Sequence, residues 1–515
     1  MRTPALPFPR HLTAAAAFAV SGLAAGACAP PRASATPTPA APSAPLEPRA
    51  ALRVFVDSLV AAPEWRNAHW GILVVNPYRG DTLYSRNAGK LFMPASNMKI
   101  VTGTVALAQL GPDYRFQTAF GVATRDGGPA IEDGVLQGDL VVTGSGDPTI
   151  SDHAVGDAMA PLLAAADSLR ARGVRRIAGR VLPGPDRMPG PVLGFGWAWD
   201  DLDYPYSAGV DELYFNEGFS RVLVRGGAHA GDVPQVTVRP ATTYPLATVR
   251  AVTGPVGTKE ALEIQGTATG GALLTGTIAP GDSAELEVAH RDPQAAFLAA
   301  LREALERRGI TIADPATAPF DSTRVVTPLF TLTSPPLREI MPLLEKPSQN
   351  QIAELLLRTL GLEGTGVGSA DSGRAVVERQ LAAWGAEPDG YVIRDGSGLS
   401  RHDYLTPETI VRVLARAQQD TAFAVFYHAL PIAGVDGTIA NRMKGTPAQG
   451  NVHAKTGFID KARSLSGYVT TADGTLLIFS FLANNWTTPT REVERVQDAI
   501  AAHLAAMQLR PVATP

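Results

Sequence analysis

Three short runs of the chain hold side chains that could form and break an acyl bond. Ser96-Asn97-Met98-Lys99 places a hydroxyl and an amine three residues apart. On a helix that spacing stacks both on one face, close enough for the amine to take the hydroxyl proton, so the implied nucleophile is a serine activated by lysine. Composition alone yields roughly 0.3 such runs per chain, so the competing reading is a capping serine beside a solvated lysine. Lysine is scarce here, however, and arginine, which supplies most of the positive charge, cannot act as a base at neutral pH.

The second run is Lys455-Thr456-Gly457, set between Val452-His453-Ala454 and Phe458-Ile459 in what reads as a strand. Beside a pocket, such a strand could offer backbone N–H groups to a developing oxyanion and an ammonium to an anionic substrate. A second ammonium near Lys99 would also lower that amine's pKa. The plainer reading is an edge strand with a solvated lysine. The third run, Ser348-Gln349-Asn350, lies before a helix beginning Gln351-Ile352-Ala353-Glu354. A loop hydroxyl there could relay a proton to a leaving amine, and the carboxamide could hold a substrate amide. Ser85-Arg86-Asn87 has the same form but precedes the nucleophile and reads as turn chemistry.

These runs need elements to place them. Pro94-Ala95-Ser96 leads into apolar residues at mostly helical spacing, from Met98 to Leu110, closed by Gly111-Pro112, so Ser96 begins a buried helix. Upstream, 69–75 and 81–85 form a hairpin around Asn76-Pro77-Tyr78-Arg79-Gly80. Short strands such as 134–143, 221–225 and 273–278 follow, with helices at 157–172 and 292–308. Helices then return at 352–360, 373–384 and 407–418. The glycine-rich 361–373 reads as the turn between two of them. A second hairpin, 466–471 with 474–482, and a helix at 491–507 close the chain. A hairpin and a helix at each end imply one α/β domain, 47–115 plus 325–515, split by a strand-rich insertion, 116–324.

Charge and composition exclude whole classes. With 45 Lys+Arg against 49 Asp+Glu, the chain lacks the positive excess of a nucleic-acid-coating protein. With 45% apolar residues it is too hydrophobic to be disordered. One cysteine, Cys28, excludes internal disulfides and Cys-ligated zinc. No His-Glu-x-x-His, nucleophile elbow or phosphate loop is present, so the chemistry calls for no metal and no cofactor. Asp147 and Asp200 read as turn formers rather than as sites for a cationic side chain.

The N-terminus reads as an export signal: Arg2 and Arg10, an apolar run from Leu12 to Ala27, and no acidic residue before Glu47. Ala25-Gly26-Ala27-Cys28 fits cleavage after Ala27 and also loosely resembles a lipoprotein box, although Ala25 stands where such a box usually has Leu. Two readings stay open, lipidation of Cys28 and its loss with a signal cut after Ala35. Residues 29–46, with six prolines, form a solvated tether. The protein is therefore expected in the periplasm or cell envelope, touching a membrane only through the signal or a lipid.

Ser-x-x-Lys, Ser-x-Asn and Lys-Thr-Gly in this order are the signature of penicillin-binding proteins and serine β-lactamases. With Ser348 252 positions after Ser96, the chain from about 50 to 507 resembles the D-Ala-D-Ala carboxypeptidase/endopeptidase family of class C penicillin-binding proteins. Gly144 to Thr149, Trp197 to Asp201 and Tyr206-Ser207-Ala208 resemble its inserted domains; Asp395 to Arg401 and Asp436-Gly437-Thr438 resemble its catalytic half. The resemblance implies a penicillin-binding, β-lactamase-like α/β (α+β) catalytic fold. It makes Ser96 the acylated nucleophile, Lys99 its base and Ser348 a proton shuttle. Asn350, Lys455 and Thr456 would hold substrate beside Gly457, and the N–H groups of Ser96 and Phe458 would form the oxyanion hole. Partners would be peptidoglycan stem peptides, with β-lactams as covalent inhibitors. Phe458 departs from the family, which usually has Ser or Thr there to bind the terminal carboxylate, and this bears on carboxypeptidase against endopeptidase action. The alternatives are a β-lactamase-like D-amino-peptide hydrolase and a non-catalytic wall-binding protein.

Overall fold

A computed structural model describes residues 47–509, except 125–129, 268, 317 and 322. The export signal, Cys28 and the tether lie outside the described residues. Among those described, no helix is long and apolar enough to cross a membrane.

Both ends of the folded chain build one antiparallel sheet. Helix α1 (Pro48–Val60) precedes a hairpin of β1 (His69–Asn76) and β2 (Asp81–Arg86), and α2 (Met98–Leu110) follows. Much later come α3 (Leu337–Glu345), α4 (Asn350–Thr365) and α5 (Pro407–Ala417). The chain ends with β3 (His453–Ile459), β4 (Ala462–Thr470), β5 (Leu476–Asn484) and α6 (Thr490–Ala506). The strand order is β2-β1-β5-β4-β3, so the strand carrying Lys455 is an edge. The second hairpin is thus longer than the expected 466–482.

Strand alternation divides the side chains between two cores. Leu73, Tyr468, Ile478 and Leu482 face α2, α4 and α5. Ile72, Val74, Leu465, Phe479 and Phe481 face α1 and α6. Each fully buried Leu, Ile or Phe contributes about 1.5–3 kcal/mol, and a slip of one residue would exchange the two sets, so the register is strongly specified. Helix α2 is buried at every position from Met98 to Leu107. It is buried on every side, Lys99, Thr102 and Thr104 included, because it lies between the sheet and other helices, which fixes the start of the helix rigidly.

Between these halves, strands 327–333, 117–124, 138–143 and 181–183 form a sheet in that order. It shares a core with helices Met159–Ala171 and Pro293–Arg307. Strands 219–225, 235–239 and 283–289, with the small sheet built on 272–278, enclose another core. Thr327–Thr333 pairs with Gln117–Thr124, so the pairing of the inserted stretch runs past residue 324. One expectation is corrected: 361–373 is not a connecting turn throughout. Helix α4 continues to Thr365, and the next helix starts at Ala370. The glycines there mark a tight helix crossing, because a Cβ on Gly373 would stand 2.0 Å from the Leu357 carbonyl oxygen.

Candidate active site

Ser96 sits in a 3₁₀ turn, Ala95–Asn97, that runs straight into α2. One turn on, Lys99 is wholly buried. Its Nζ lies 3.0 Å from Ser96 Oγ, 2.6 Å from Asn350 Oδ1 and 2.8 Å from the Ser397 carbonyl oxygen. Two of these partners only accept, and the third, a hydroxyl, can donate. An ammonium fills this set with its three N–H bonds; the neutral amine keeps the bonds to Asn350 and Ser397 and turns its lone pair to the Ser96 hydroxyl, whose proton it can take. Burial draws the Lys99 pKa down to about 8, while Asp395, Glu345, Glu354 and Asp403 pull it upward. Loss of hydration therefore outweighs four carboxyl groups.

The loop that supplies the Ser397 carbonyl is held by buried acids. Glu354, on α4, accepts the Gly396 and Ser397 N–H groups at 3.0 and 2.8 Å. Asp395 accepts Gly398 N–H at 2.6 Å, Ser400 N–H at 2.7 Å and the Trp197 indole N–H at 2.9 Å. Thr102, one turn beyond Lys99, donates to the Gly396 carbonyl at 2.7 Å. Gly398 has φ +80°, and a Cβ there would stand 1.8 Å from the Ala95 carbonyl oxygen. Glycine is needed for the loop to close on the nucleophile's turn.

Strand β3 presses against the other side of that turn. Asn97 Nδ2 donates to the Lys455 carbonyl at 2.8 Å, and Ser464 Oγ donates to the Pro94 carbonyl at 2.7 Å. A Cβ on Gly457 would be 2.9 Å from Ser96 N, so only glycine lets the strand approach so closely. On the open edge, Ala454 N–H bonds the Pro431 carbonyl. By two-residue alternation the Phe458 N–H faces the same edge. Lys455 is also wholly buried, its Nζ donating to the Thr456 carbonyl at 3.1 Å. Burial, and then the Lys99 charge, hold its pKa well below the ordinary lysine range. The Thr456 and Thr438 hydroxyls are 2.7 Å apart.

Ser348 precedes α4 in a left-handed conformation, φ 67°. The Gln349 side chain caps the helix by accepting Ile352 N–H, and Asn350 Nδ2 donates to the Tyr206 carbonyl at 2.7 Å. Asn350 is thereby occupied at both ends, by Lys99 and by the inserted region. Ser96, Ser348, Asn350 and Phe458 line one cleft of about 690 Å³, together with Asp200, Tyr206 and Arg401. Lys99 and Lys455 stand behind its wall, and the Phe458 side chain is exposed at its mouth.

All residues singled out in the three motifs thus converge on one place. The turn reading holds for Asp147, whose carboxylate accepts from Thr149 N–H and Oγ1–H. Asp200, read the same way, lies in the 3₁₀ turn Trp199–Asp201 and also lines the cleft. Sequence reasoning assigned no role to Ser397, Glu354, Asp395 or Glu345. Their only signals were the Asp395-Gly396-Ser397-Gly398 turn and acids inside apolar helices.

Fold and site define the class: a serine peptidase whose serine is paired with a lysine. The D-Ala-D-Ala carboxypeptidase 3 (S13) family profile matches residues 52–507, and the chain belongs to that family. It is 35% identical over 473 residues to a D-alanyl-D-alanine carboxypeptidase of an Actinomadura species, covering 88% of this chain and 84% of that protein. It is 26% identical over 443 residues to D-alanyl-D-alanine carboxypeptidase DacB of Haemophilus influenzae, covering 83% and 87%. The crystal structure of penicillin binding protein 4 (dacB) from Haemophilus influenzae has the same fold, with a TM-score of 0.75, 22% identity, and 88% and 99% of the two chains covered.

Proposed function

We propose that the protein is a D-alanyl-D-alanine carboxypeptidase of peptidoglycan that works through an acyl-Ser96 intermediate. The observation that carries this reading is Lys99 Nζ, wholly buried and 3.0 Å from Ser96 Oγ with two acceptors on its remaining N–H bonds. Lys99 takes the Ser96 proton as Oγ bonds to the carbonyl carbon of the penultimate D-alanine. The Ser96 and Phe458 N–H groups receive the oxyanion. Ser348, on the cleft wall, hands a proton to the departing amine and is reprotonated by the Lys99 ammonium, which returns to the free amine. Water then cleaves the ester, with Lys99 as base again. Lys455 supplies positive charge for the substrate carboxylate, and Thr456 and Asn350 orient the peptide. β-Lactams acylate the same serine. Residues 47–115 and 325–515 act as the catalytic part, and 116–324 as an accessory insertion touching it through Trp197 and Tyr206. The N-terminal signal directs the protein to the periplasm or envelope, with Cys28 either lipidated or removed.

The test is intact mass after exposure to benzylpenicillin, with Ser96→Ala in parallel. The expected result is one adduct on the wild type and none on the variant. Labelling of Ser96→Ala would overturn the assignment of the nucleophile; no adduct and intact drug would favour a wall-binding protein.

Phe458 favours a second reading, cleavage of D-amino-acid cross-links. Its exposed ring, with the Arg463 guanidinium 5.4 Å from the centroid, replaces a carboxylate-binding hydroxyl at the cleft mouth. Release of D-alanine from a pentapeptide, compared with cleavage of a cross-linked dimer, distinguishes the two activities.

A further inference from the structure

We infer that Lys346 and Asp436 are a positioning pair: they tie the turn bearing Ser348 to strand β3 and so hold the Ser348 hydroxyl where it lines the cleft. The inference rests on the reading of Ser348 as the proton donor, and it adds two residues to which that reading gives no task. Lys346 directly follows α3 and stands two residues before Ser348. Its Nζ donates to Asp436 Oδ1 and Oδ2 at 2.9 and 2.8 Å and to the Leu430 carbonyl at 2.6 Å. An ammonium has three N–H bonds, and all three are used. Asp436 Oδ1 also accepts Ile432 N–H at 2.9 Å. The main chain adds a further link, from Thr438 N–H to the Lys346 carbonyl at 3.1 Å. Gly437 has φ +59°, and a Cβ there would stand 2.8 Å from that carbonyl oxygen, so the close approach calls for glycine.

Segment 430–438 is itself fixed on β3. Ala433 N–H bonds the Val452 carbonyl and Ala454 N–H the Pro431 carbonyl, each at 3.0 Å. The Thr438 hydroxyl meets that of Thr456 at 2.7 Å. Because β3 is paired with β4 from His453 to Ile459, the segment is a firm support, and the turn after α3 is the part that needs one. Ser348 stands at φ 67°, and a serine stays left-handed only where its surroundings force it to. Two bonds of the turn, Lys346 N–H to the Pro342 carbonyl and Gln349 N–H to the Leu344 carbonyl, run back into α3. The bonds from Lys346 to Asp436, Leu430 and Thr438 tie it to another element. With 21% and 38% of the two side chains exposed, the ion pair adds little to stability. Its effect is on where Ser348 stands, and a proton donor displaced by about 1 Å loses up to about 100-fold in rate.

The test compares kcat/KM for a peptide ending in D-Ala-D-Ala with that for its thioester analogue, in which thiolactate replaces the last D-alanine. The amine departs only with a proton, whereas the thiolate departs without one. A displaced Ser348 therefore shows as a loss confined to the peptide. Lys346→Met, checked for folding by melting curves, should lose roughly 30- to 100-fold on the peptide and less than about fivefold on the thioester. Asp436→Asn keeps an acceptor for Ile432 N–H but not the charge, and should show the same split at roughly tenfold. The double variant should be no worse than Lys346→Met, since both changes cut one link. Ser348→Ala gives the reference split. A peptide loss below about threefold in folded Lys346→Met, equal losses on the two substrates, or losses that multiply in the double variant overturn the inference. Should Lys346→Met not fold, Asp436→Asn decides by the same ratio. Equal losses on peptide and thioester in Ser348→Ala refute the proton-donor reading itself.

Discussion

Acylation of Ser96 should slow tenfold for each pH unit below about 7. Only the free amine of Lys99 can take the serine proton, and its pKa lies near 8 rather than the ordinary 10.5. At pH 7 about 9 in 100 molecules then hold a neutral Lys99; at pH 6 about 1 in 100 do. A lysine at its ordinary value would be neutral in about 3 of 10,000 molecules at pH 7, so burial raises the reactive fraction roughly 300-fold. The sign is fixed by the residue: lowering a lysine's pKa enlarges the basic form, and the rate climbs with pH until that form is complete. Rapid mixing of the enzyme with benzylpenicillin, quenched for intact mass at several pH values, gives the second-order rate constant directly. Its logarithm should rise with unit slope to about pH 7 and bend near 8. Lys99→Arg, which keeps the charge but cannot release it, should lose about 10²–10⁴-fold. A rate flat below pH 7, or an arginine variant within tenfold of wild type, would remove Lys99 from the role of base.

Three further outcomes follow from the same contacts. Asn350→Asp puts a carboxylate 2.6 Å from Lys99 Nζ, so the acid limb of acylation should move to higher pH and the rate at pH 7 should fall roughly tenfold; an unmoved limb counts against the charge argument. Gly398→Ala forces a methyl onto the Ala95 carbonyl in a left-handed conformation, and thermal unfolding should show a loss of about 2–4 kcal/mol together with loss of the penicillin adduct. Trp197→Phe removes the indole donor to buried Asp395; about 1–3 kcal/mol of stability should be lost, with acylation slowed in the folded fraction, as read by melting and by adduct formation.

What could be read in the sequence was whatever local spacing determines. Ser96 and Lys99 are three residues apart on one chain, and a helix brings them together without help. The two hairpins announce themselves through alternation and turn residues. Ser348 and Lys455 were assigned because their motifs have a known order, not because anything in the chain measures the distance from residue 99 to residue 455. The glycines of 361–373 misled because a glycine admitting another helix and a glycine breaking one are the same letter. Only the Leu357 carbonyl, 2.0 Å from where a Cβ on Gly373 would lie, decides between them. Glu345 and Glu354 were silent for a related reason: an acid in an apolar helix declares no partner until the neighbouring elements are in place.

The basicity of Lys99 is therefore not a property of its motif. Apart from Ser96, its hydrogen-bond partners are residues 350 and 397, and its opposing charges come from 345, 354, 395 and 403, all more than 200 positions downstream. Burial alone would lower its pKa further, and the acids alone would raise it; the value near 8 is the difference between two large opposing effects. Such a balance is sensitive to the position of each acid. That gives the inserted region an energetic role: Trp197 holds Asp395, and the Tyr206 carbonyl holds Asn350, at 2.9 and 2.7 Å. Segments about 100 residues beyond the nucleophile thus orient two groups that set the protonation of its base. Replacing the inserted stretch with a short linker should shift the pH dependence of acylation as well as lower stability.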